Sequence, residues 1–340
     1  MTDDQQMPVL QMPVLVLGCG AWGTALAMVL NGAGRQVTVW GYETDYVAEI
    51  ERTRQNPKFL PGVEIPPAIR FVSSLDDETT VAGTVFSVIP TQFLRSGISS
   101  LRDGLPTHAV YVSCSKGFEE KSLKRPSELL AEFFPGSRVV VLSGPSHAEE
   151  VSRRLPAALV AGSSDLTQSV AVQTLIAGPR LRVYTSTDPI GVEVGGATKN
   201  VMAIACGISD GLGFGDNARA ALMTRGLSEL TRLGCALGGQ RPTFSGLSGM
   251  GDLVVTCASQ HSRNWNVGHR IGQGERLVDI VSGTEQVAEG VATTRSLHEL
   301  QKQLAIDLPI TSEVHRVLFE GKAPRDAVES LMSREFKHEE

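Results

Sequence analysis

Gly18-Cys19-Gly20-Ala21-Trp22-Gly23 has the spacing G-x-G-x-x-G, directly after the apolar run Val14–Leu17 and directly before the helical pattern Thr24–Asn31. Glycine at these places allows a tight turn, lets a diphosphate approach the backbone, and packs helix against strand. The helix start then offers N–H donors and the positive end of its dipole to the anion. The spacing alone is a weak sign. Set between strand and helix near the start of an α/β pattern, it reads as a dinucleotide cradle. The second strand, Val37–Trp40, runs into Gly41-Tyr42-Glu43. Gly41 stands where a carboxylate usually binds the ribose hydroxyls, and no Arg follows at once to grip a 2′-phosphate, so NADH and NADPH are both admissible.

Lys199 lies in an almost wholly apolar helical stretch, Gly191-Val-Glu-Val-Gly-Gly-Ala-Thr-Lys-Asn200-Val-Met-Ala-Ile-Ala-Cys-Gly. Gly195 and Gly196 precede it by four and three residues, which predicts a bare helix face beside the ammonium, with room for a ligand. A buried ammonium needs a partner, a lowered pKa or a bound anion. Two readings stand: a structural lysine paired with Glu193 or reaching solvent, or a general acid that protonates a carbonyl oxygen as hydride arrives.

Four other segments offer chemistry. Lys116 follows a strand, at the edge where ligands bind in open α/β sheets. Gly144-Pro145-Ser146 also follows a strand, and is equally an everyday turn. Asp252, after Gly249-Met-Gly, either orients Lys199 or a hydroxyl, or caps a helix. Ser262-Arg263-Asn264 reads as an N-cap and first helical turn, which places N–H groups, a guanidinium and an amide where a phosphate docks; an ordinary cap with a solvated Arg is the alternative. The seven histidines show no ligand spacing with acids or cysteines, so no metal is expected.

The elements that position these residues change character along the chain. Strand patterns occupy Val14–Leu17, Val37–Trp40, Thr84–Ile89, Ala109–Ser113, Arg138–Leu142, Ala157–Val160 and Leu181–Tyr184. Helices or loops between them predict a Rossmann-type, doubly wound, mostly parallel sheet. From Gly191 to about Gly238 the chain is rich in Ala, Gly and Met. Helical patterns continue at Arg263–Gly272, Val291–Gln303, Thr311–Phe319 and Pro324–Met332. The expected organisation is an N-terminal extension over 1–13, a dinucleotide-binding α/β domain over 14–190, and an all-helical substrate domain over 191–335.

With 340 residues, two cores are affordable. A net charge of −6 argues against a general nucleic-acid binder, and no apolar run approaches the length of a membrane span. The acidic start, Met1-Thr-Asp-Asp, lacks the features of a secretory signal. Five scattered cysteines without a C-x-x-C pair fit a reducing compartment, so the cytoplasm is the expected address. The segment Gln6–Leu10 is repeated as Gln11–Leu15, and only the second copy enters a strand pattern.

Gly195-Gly-Ala-Thr-Lys199-Asn200-Val-Met-Ala-Ile-Ala resembles the catalytic-lysine motif of bacterial NAD(P)-dependent glycerol-3-phosphate dehydrogenases. Trp40-Gly-Tyr, Asn56-Pro-Lys-Phe-Leu-Pro, Ser115-Lys-Gly, Ser143-Gly-Pro-Ser-His-Ala148, Gly249-Met-Gly-Asp-Leu253, Ser262-Arg-Asn264 and Gln286-Val-Ala-Glu-Gly290 agree with that family in order and spacing. The resemblance runs from Val14 to about Leu331. It implies reversible reduction of dihydroxyacetone phosphate to sn-glycerol 3-phosphate, a phospholipid precursor, by NADH or NADPH in a homodimer. It makes Lys199 the proton donor and acceptor, and places Lys116, Gly144, Ser146, Asp252, Ser262, Arg263 and Asn264 on the substrate. It assigns Gly18, Gly20, Ala21, Trp22, Gly23, Tyr42, Lys116, Ala148, Arg263, Val287 and Glu289 to the cofactor. Two departures stand out: Ala21 where many members carry Ser, and Tyr42 where relatives often carry His or Arg. The rival readings are a lysine-dependent hydroxyacid dehydrogenase of similar architecture and a non-catalytic dinucleotide sensor.

Overall fold

The computed structural model describes residues 12–260, 262–283, 288–335 and 338. Apart from Met12 and Pro13, the N-terminal extension lies outside the described residues, as does Val287. The chain forms two compact units. The first holds the residues up to Lys116 and Lys124–Glu193, the second Gly117–Leu123 and the residues from Val194 onward. The short segment 117–123, expected within the α/β domain, thus clusters with the helical unit.

The first unit contains β1 (Val14–Leu17), α1 (Ala21–Gly32), β2 (Val37–Trp40), α2 (Thr44–Thr53), β3 (Gln55–Asn56), β4 (Leu60–Glu64) and β5 (Arg70–Val72). It continues with α3 (Asp77–Thr80), β6 (Thr84–Ser87), α4 (Thr91–Leu101), β7 (Val110–Ser113), α5 (Pro126–Phe133) and β8 (Arg138–Ser143). Helix α6 (Ala148–Ser152), β9 (Ala157–Gly162), α7 (Leu166–Ile176) and β10 (Leu181–Ser186) complete it. Eight strands form one sheet in the order β10-β9-β8-β7-β6-β1-β2-β5, parallel except where β8 meets β9. Strand β1 is wholly buried because both faces are covered. Its Val14 and Val16 join Leu26 and Leu30 of α1 in one core, while Leu15 and Leu17 join Leu94 and Ile98 of α4 in another.

The seven expected strands are all present, two with the expected bounds and five with an end shifted by one or two residues. Strand β5 and the β3–β4 hairpin are not legible in the sequence. These runs are two to five residues long and carry Arg, Pro, Gly and Glu, so periodicity has too little to act on.

The second unit is helical: α8 (Pro189–Gly211, whose first turn belongs to the first unit), α9 (Asp216–Ala236), α10 (Arg241–Phe244), a π turn at Leu247–Gly251, and α11 (Asp252–Ala258). Then follow α12 (Arg263–Gly272), α13 (Leu277–Ser282), α14 (Glu289–Leu304), α15 (Pro309–Phe319) and α16 (Pro324–Met332). Two glycine pairs set its central packing. A Cβ at Gly207 would lie 2.1 Å from Trp265 O, and one at Gly211 2.2 Å from His269 O. Reciprocally, one at Gly268 would lie 2.1 Å from Ile204 O, and one at Gly272 2.5 Å from Ile208 O. Helices α8 and α12 therefore touch backbone to backbone, which only glycine allows. Among the described residues, no helix is long and apolar enough to cross a membrane.

Candidate active site

In the first unit, the glycine loop joins β1 to α1. Gly18 has φ +119° and donates its N–H to Trp40 O at 2.8 Å. Gly23 packs so tightly that a Cβ there would lie 1.9 Å from Gly18 O. At Gly20 an added Cβ would meet nothing within 4 Å, so the loop is open where backbone must approach a ligand. Helix α1, starting at Ala21, has no side-chain cap and no acidic residue in its first turn. Its N–H donors and dipole suit a diphosphate, so these residues fit the cofactor that the motif implies. Trp22 is half-buried against the core.

Asn56 locks this loop. Its Nδ2 donates to Cys19 O and to Thr24 Oγ1, both at 2.8 Å, and its Oδ1 accepts from Tyr46 OH at 2.5 Å. Asn56 stands within the Asn56-Pro-Lys-Phe-Leu-Pro segment, whose sequence alone points to no role for its amide. Its burial, in a hairpin too short to recognise, is what reveals the role.

Gly41 is explained by packing. A Cβ there would lie 2.5 Å from both Cys19 Sγ and Val47 Cγ2, so position 41 has no space for the carboxylate looked for there. Tyr42 is 82% exposed beside it, and Glu43 pairs with Lys58 at 3.2 Å.

The loops after β7 and β8 are drawn together at one carbonyl. Gly144 O accepts from Lys116 Nζ at 3.3 Å and from Ser146 Oγ at 3.0 Å. Gly144 has φ +132°, which favours glycine. Ala148 opens α6 and packs beside Ala25 of α1 in a small core.

In the second unit, Lys199 is 7% exposed on α8. Its Nζ lies 3.0 Å from Asp252 Oδ1 and donates to Thr256 Oγ1 at 2.7 Å. Thr256 in turn donates to Asp252 O at 2.6 Å. Asp252 is the first residue of α11 and not its cap, so its role is to hold the ammonium. Thr256 was missed, although its place one turn after Asp252 puts both on one helix face. Glu193, weighed as a structural partner of Lys199, instead accepts from Arg125 at 2.7 Å and from Ser127. Burial still raises its pKa. The expected open face beside Lys199 is corrected as well: at Gly195 the space is filled by backbone, since a Cβ would lie 2.5 Å from Ser248 O. The π turn leading to Asp252 is seated there.

Ser262 is the N-cap of α12, its side chain accepting from Trp265 N at 3.2 Å. Arg263 is exposed in the first turn. Asn264 is buried, donating to Asn200 Oδ1 at 3.0 Å and accepting from Gly290 N at 2.9 Å. It thereby ties α12 to α8 and to the start of α14, where Glu289 is half-buried. Within this unit the fold joins Lys199 to Asp252, and Asn264 to the neighbour of Lys199.

A family model described as the N-terminus of NAD-dependent glycerol-3-phosphate dehydrogenase matches residues 13–169, and its C-terminal counterpart matches residues 188–329. The glycerol-3-phosphate dehydrogenase [NAD(P)+] of Geobacillus kaustophilus is 48% identical, over 96% of either chain. That of Geobacter sulfurreducens is 47% identical, over 95% of this chain and 98% of the relative. The crystal structure of glycerol-3-phosphate dehydrogenase from Coxiella burnetii superposes with a TM-score of 0.92 at 37% identity, covering 96% of this chain and all (100%) of that one. A D-mandelate dehydrogenase structure, at 12% identity and a TM-score of 0.63 (93% of this chain, 100% of that one), shares the fold alone. With its glycine loop, its buried lysine and near-complete coverage by these relatives, the chain belongs to the NAD-dependent glycerol-3-phosphate dehydrogenase family.

Proposed function

We propose that this chain interconverts dihydroxyacetone phosphate and sn-glycerol 3-phosphate with NAD(P)H or NAD(P)+, using Lys199 as its general acid and base. The observation that carries the reading is the Lys199 ammonium, buried in an apolar helix and held by Asp252 and Thr256. When bound, the nicotinamide supplies or accepts the hydride at the substrate's C2 carbon. Lys199 Nζ donates a proton to the C2 oxygen as negative charge develops there, and removes it in the oxidative direction. Asp252 offsets the cost of burying the charge and fixes its direction. Gly18, Gly20, Ala21, Trp22 and Gly23 hold the diphosphate; Ala148 supports the wall behind α1, and Tyr42 and Glu289 remain assigned to the cofactor by family likeness.

Lys116, Gly144 and Ser146 are proposed as polar contacts for substrate, and Arg263 with the N–H groups of α12 as the phosphate anchor. Asn264 contributes by fixing that helix start. A non-catalytic sensor would have no need for so elaborate a fixation of one lysine. A cytoplasmic homodimer is proposed with this reading; all five cysteines are free thiols, as a reducing compartment favours, and sedimentation would test the assembly.

The direct test is oxidation of NADH and of NADPH by the full-length protein with dihydroxyacetone phosphate, beside unphosphorylated dihydroxyacetone and a 2-keto acid. Turnover with the phosphate ester should far exceed that with dihydroxyacetone, and the keto acid should give none. Preference for the keto acid, or no turnover at all, would replace this reading with one of its rivals.

A further inference from the structure

Two imidazoles from neighbouring helices of the second unit stack face to face, away from Lys199 in sequence and untouched by the proposed reaction. The rings of His298 on α14 and His315 on α15 have centroids 3.7 Å apart and planes 10° from parallel. His315 Nδ1 lies 3.1 Å from Glu320 Oε1, at the end of α15. One ligand atom from each of the three residues falls within 4.8 Å of the others. Both imidazoles are half-buried, while Glu320 is exposed.

The surroundings hold this group in place. Gln301 Nε2 lies 3.0 Å from His298 Nδ1 and also donates to Ser312 Oγ at 2.9 Å, linking α14 to α15. The Phe319 ring sits 5.1 Å from that of His315. Two imidazolium rings at this separation would repel, so the stack is built with at least one neutral ring and its lone pair.

We propose that His298, His315 and Glu320 form a divalent transition-metal site, with Zn2+ as the principal occupant, that staples α14 to α15. Two imidazole nitrogens and a carboxylate oxygen are a borderline donor set that suits Zn2+, Co2+ or Ni2+. Mg2+ and Ca2+ require oxygen ligands throughout. Ligands about 2.1 Å from one ion sit roughly 3.4 Å apart in a tetrahedron, so the group must contract from its present spread. Because imidazole lone pairs lie in the ring planes, which are here 10° from parallel, binding requires the two rings to turn out of their stack while the exposed Glu320 side chain swings in. Water completes the coordination.

The test uses full-length protein stripped by a chelator and titrated with Zn2+ by calorimetry, with Co2+ absorption as a second reading of the coordination. Wild type should bind one Zn2+ per chain and gain thermal stability. Glu320→Gln, a surface change that leaves the fold intact, should weaken binding by about tenfold or more. His315→Ala should abolish it, and Glu320→Gln should leave NAD(P)H oxidation unchanged. The proposal is overturned if wild type shows no saturable uptake, or if all three proteins bind Zn2+ equally, which would place the ion elsewhere.

Discussion

Asp252 Oδ1 lies 3.0 Å from Lys199 Nζ, and one face of α11 delivers both that carboxylate and Thr256 to the same ammonium. Lys199→Met should therefore lower kcat by at least about 10²-fold while NAD(P)H binding persists, the usual scale of general acid–base catalysis. Asp252→Asn keeps the shape and removes the charge. It should also lower kcat, and should displace the pH profile because the lysine loses its paired carboxylate. Steady-state kinetics from pH 6 to about 10 reads both effects; a Lys199→Met enzyme retaining most turnover would make the lysine structural.

Arg263 is exposed in the first turn of α12, behind the Ser262 cap. A hydrogen bond to a charged group is worth about 1.5–3 kcal/mol, so Arg263→Ala should cut kcat/KM for dihydroxyacetone phosphate by about tenfold or more. The loss with unphosphorylated dihydroxyacetone should be much smaller. Because Arg263 is also assigned to the cofactor, NAD(P)H affinity is measured on the same variant; equal losses on both substrates would remove it as the phosphate anchor.

Gly41 invites a coenzyme switch by Gly41→Asp, and the packing argues against that result. The new side chain would collide with Cys19 and Val47. The expected outcome is a lower thermal midpoint and weaker binding of NADH and NADPH alike, with little change in their ratio. A clean shift toward NADH with unaltered stability would show that the loop relaxes at no cost.

Asn56→Ala removes one hydrogen bond from each of Cys19 O, Thr24 Oγ1 and Tyr46 OH, while Cys19 O keeps Thr24 Oγ1 and Tyr46 OH keeps Lys58 N. Each lost hydrogen bond costs about 0.5–1.5 kcal/mol. The KM for NAD(P)H should rise well beyond that for dihydroxyacetone phosphate, since the loop being released belongs to the cofactor. Loss of stability with both KM values intact would limit Asn56 to a folding role.

Glu229 makes stability depend on pH. It is 2% exposed and accepts from Ile310 N, Thr311 N and Thr311 Oγ1 at the start of α15, yet burial raises its pKa from 4.5 to about 7. Above its unfolded pKa, the native state binds the proton more tightly than the unfolded chain does. The contribution is thus fully present below about pH 4.5 and is lost as pH rises through about 7. The slope attributable to this group approaches about 1.4 kcal/mol per pH unit at its steepest. Glu229→Gln should flatten the denaturation midpoint over this window, and an unchanged slope would assign the pH dependence to other groups.

The residues themselves determined which backbone places are special. The G-x-G-x-x-G loop after an apolar run, the seven strand patterns and the Ser262 cap were legible because glycine conformation, β-branched runs and capping are local properties. Lys199 was legible as unusual, since an ammonium in an apolar helix is costly wherever it folds. Its partner was not. Glu193 lies nearer in sequence, but Arg125 and Ser127 take it, and Asp252 reaches Lys199 only because the Ser248–Gly249 backbone settles on Gly195. Likewise Gly41, Gly207 and Gly268 reveal their purpose only when the backbone or side chain pressed against each is known. Such contacts join segments far apart in the chain, and a local pattern carries no record of which surface will close on it.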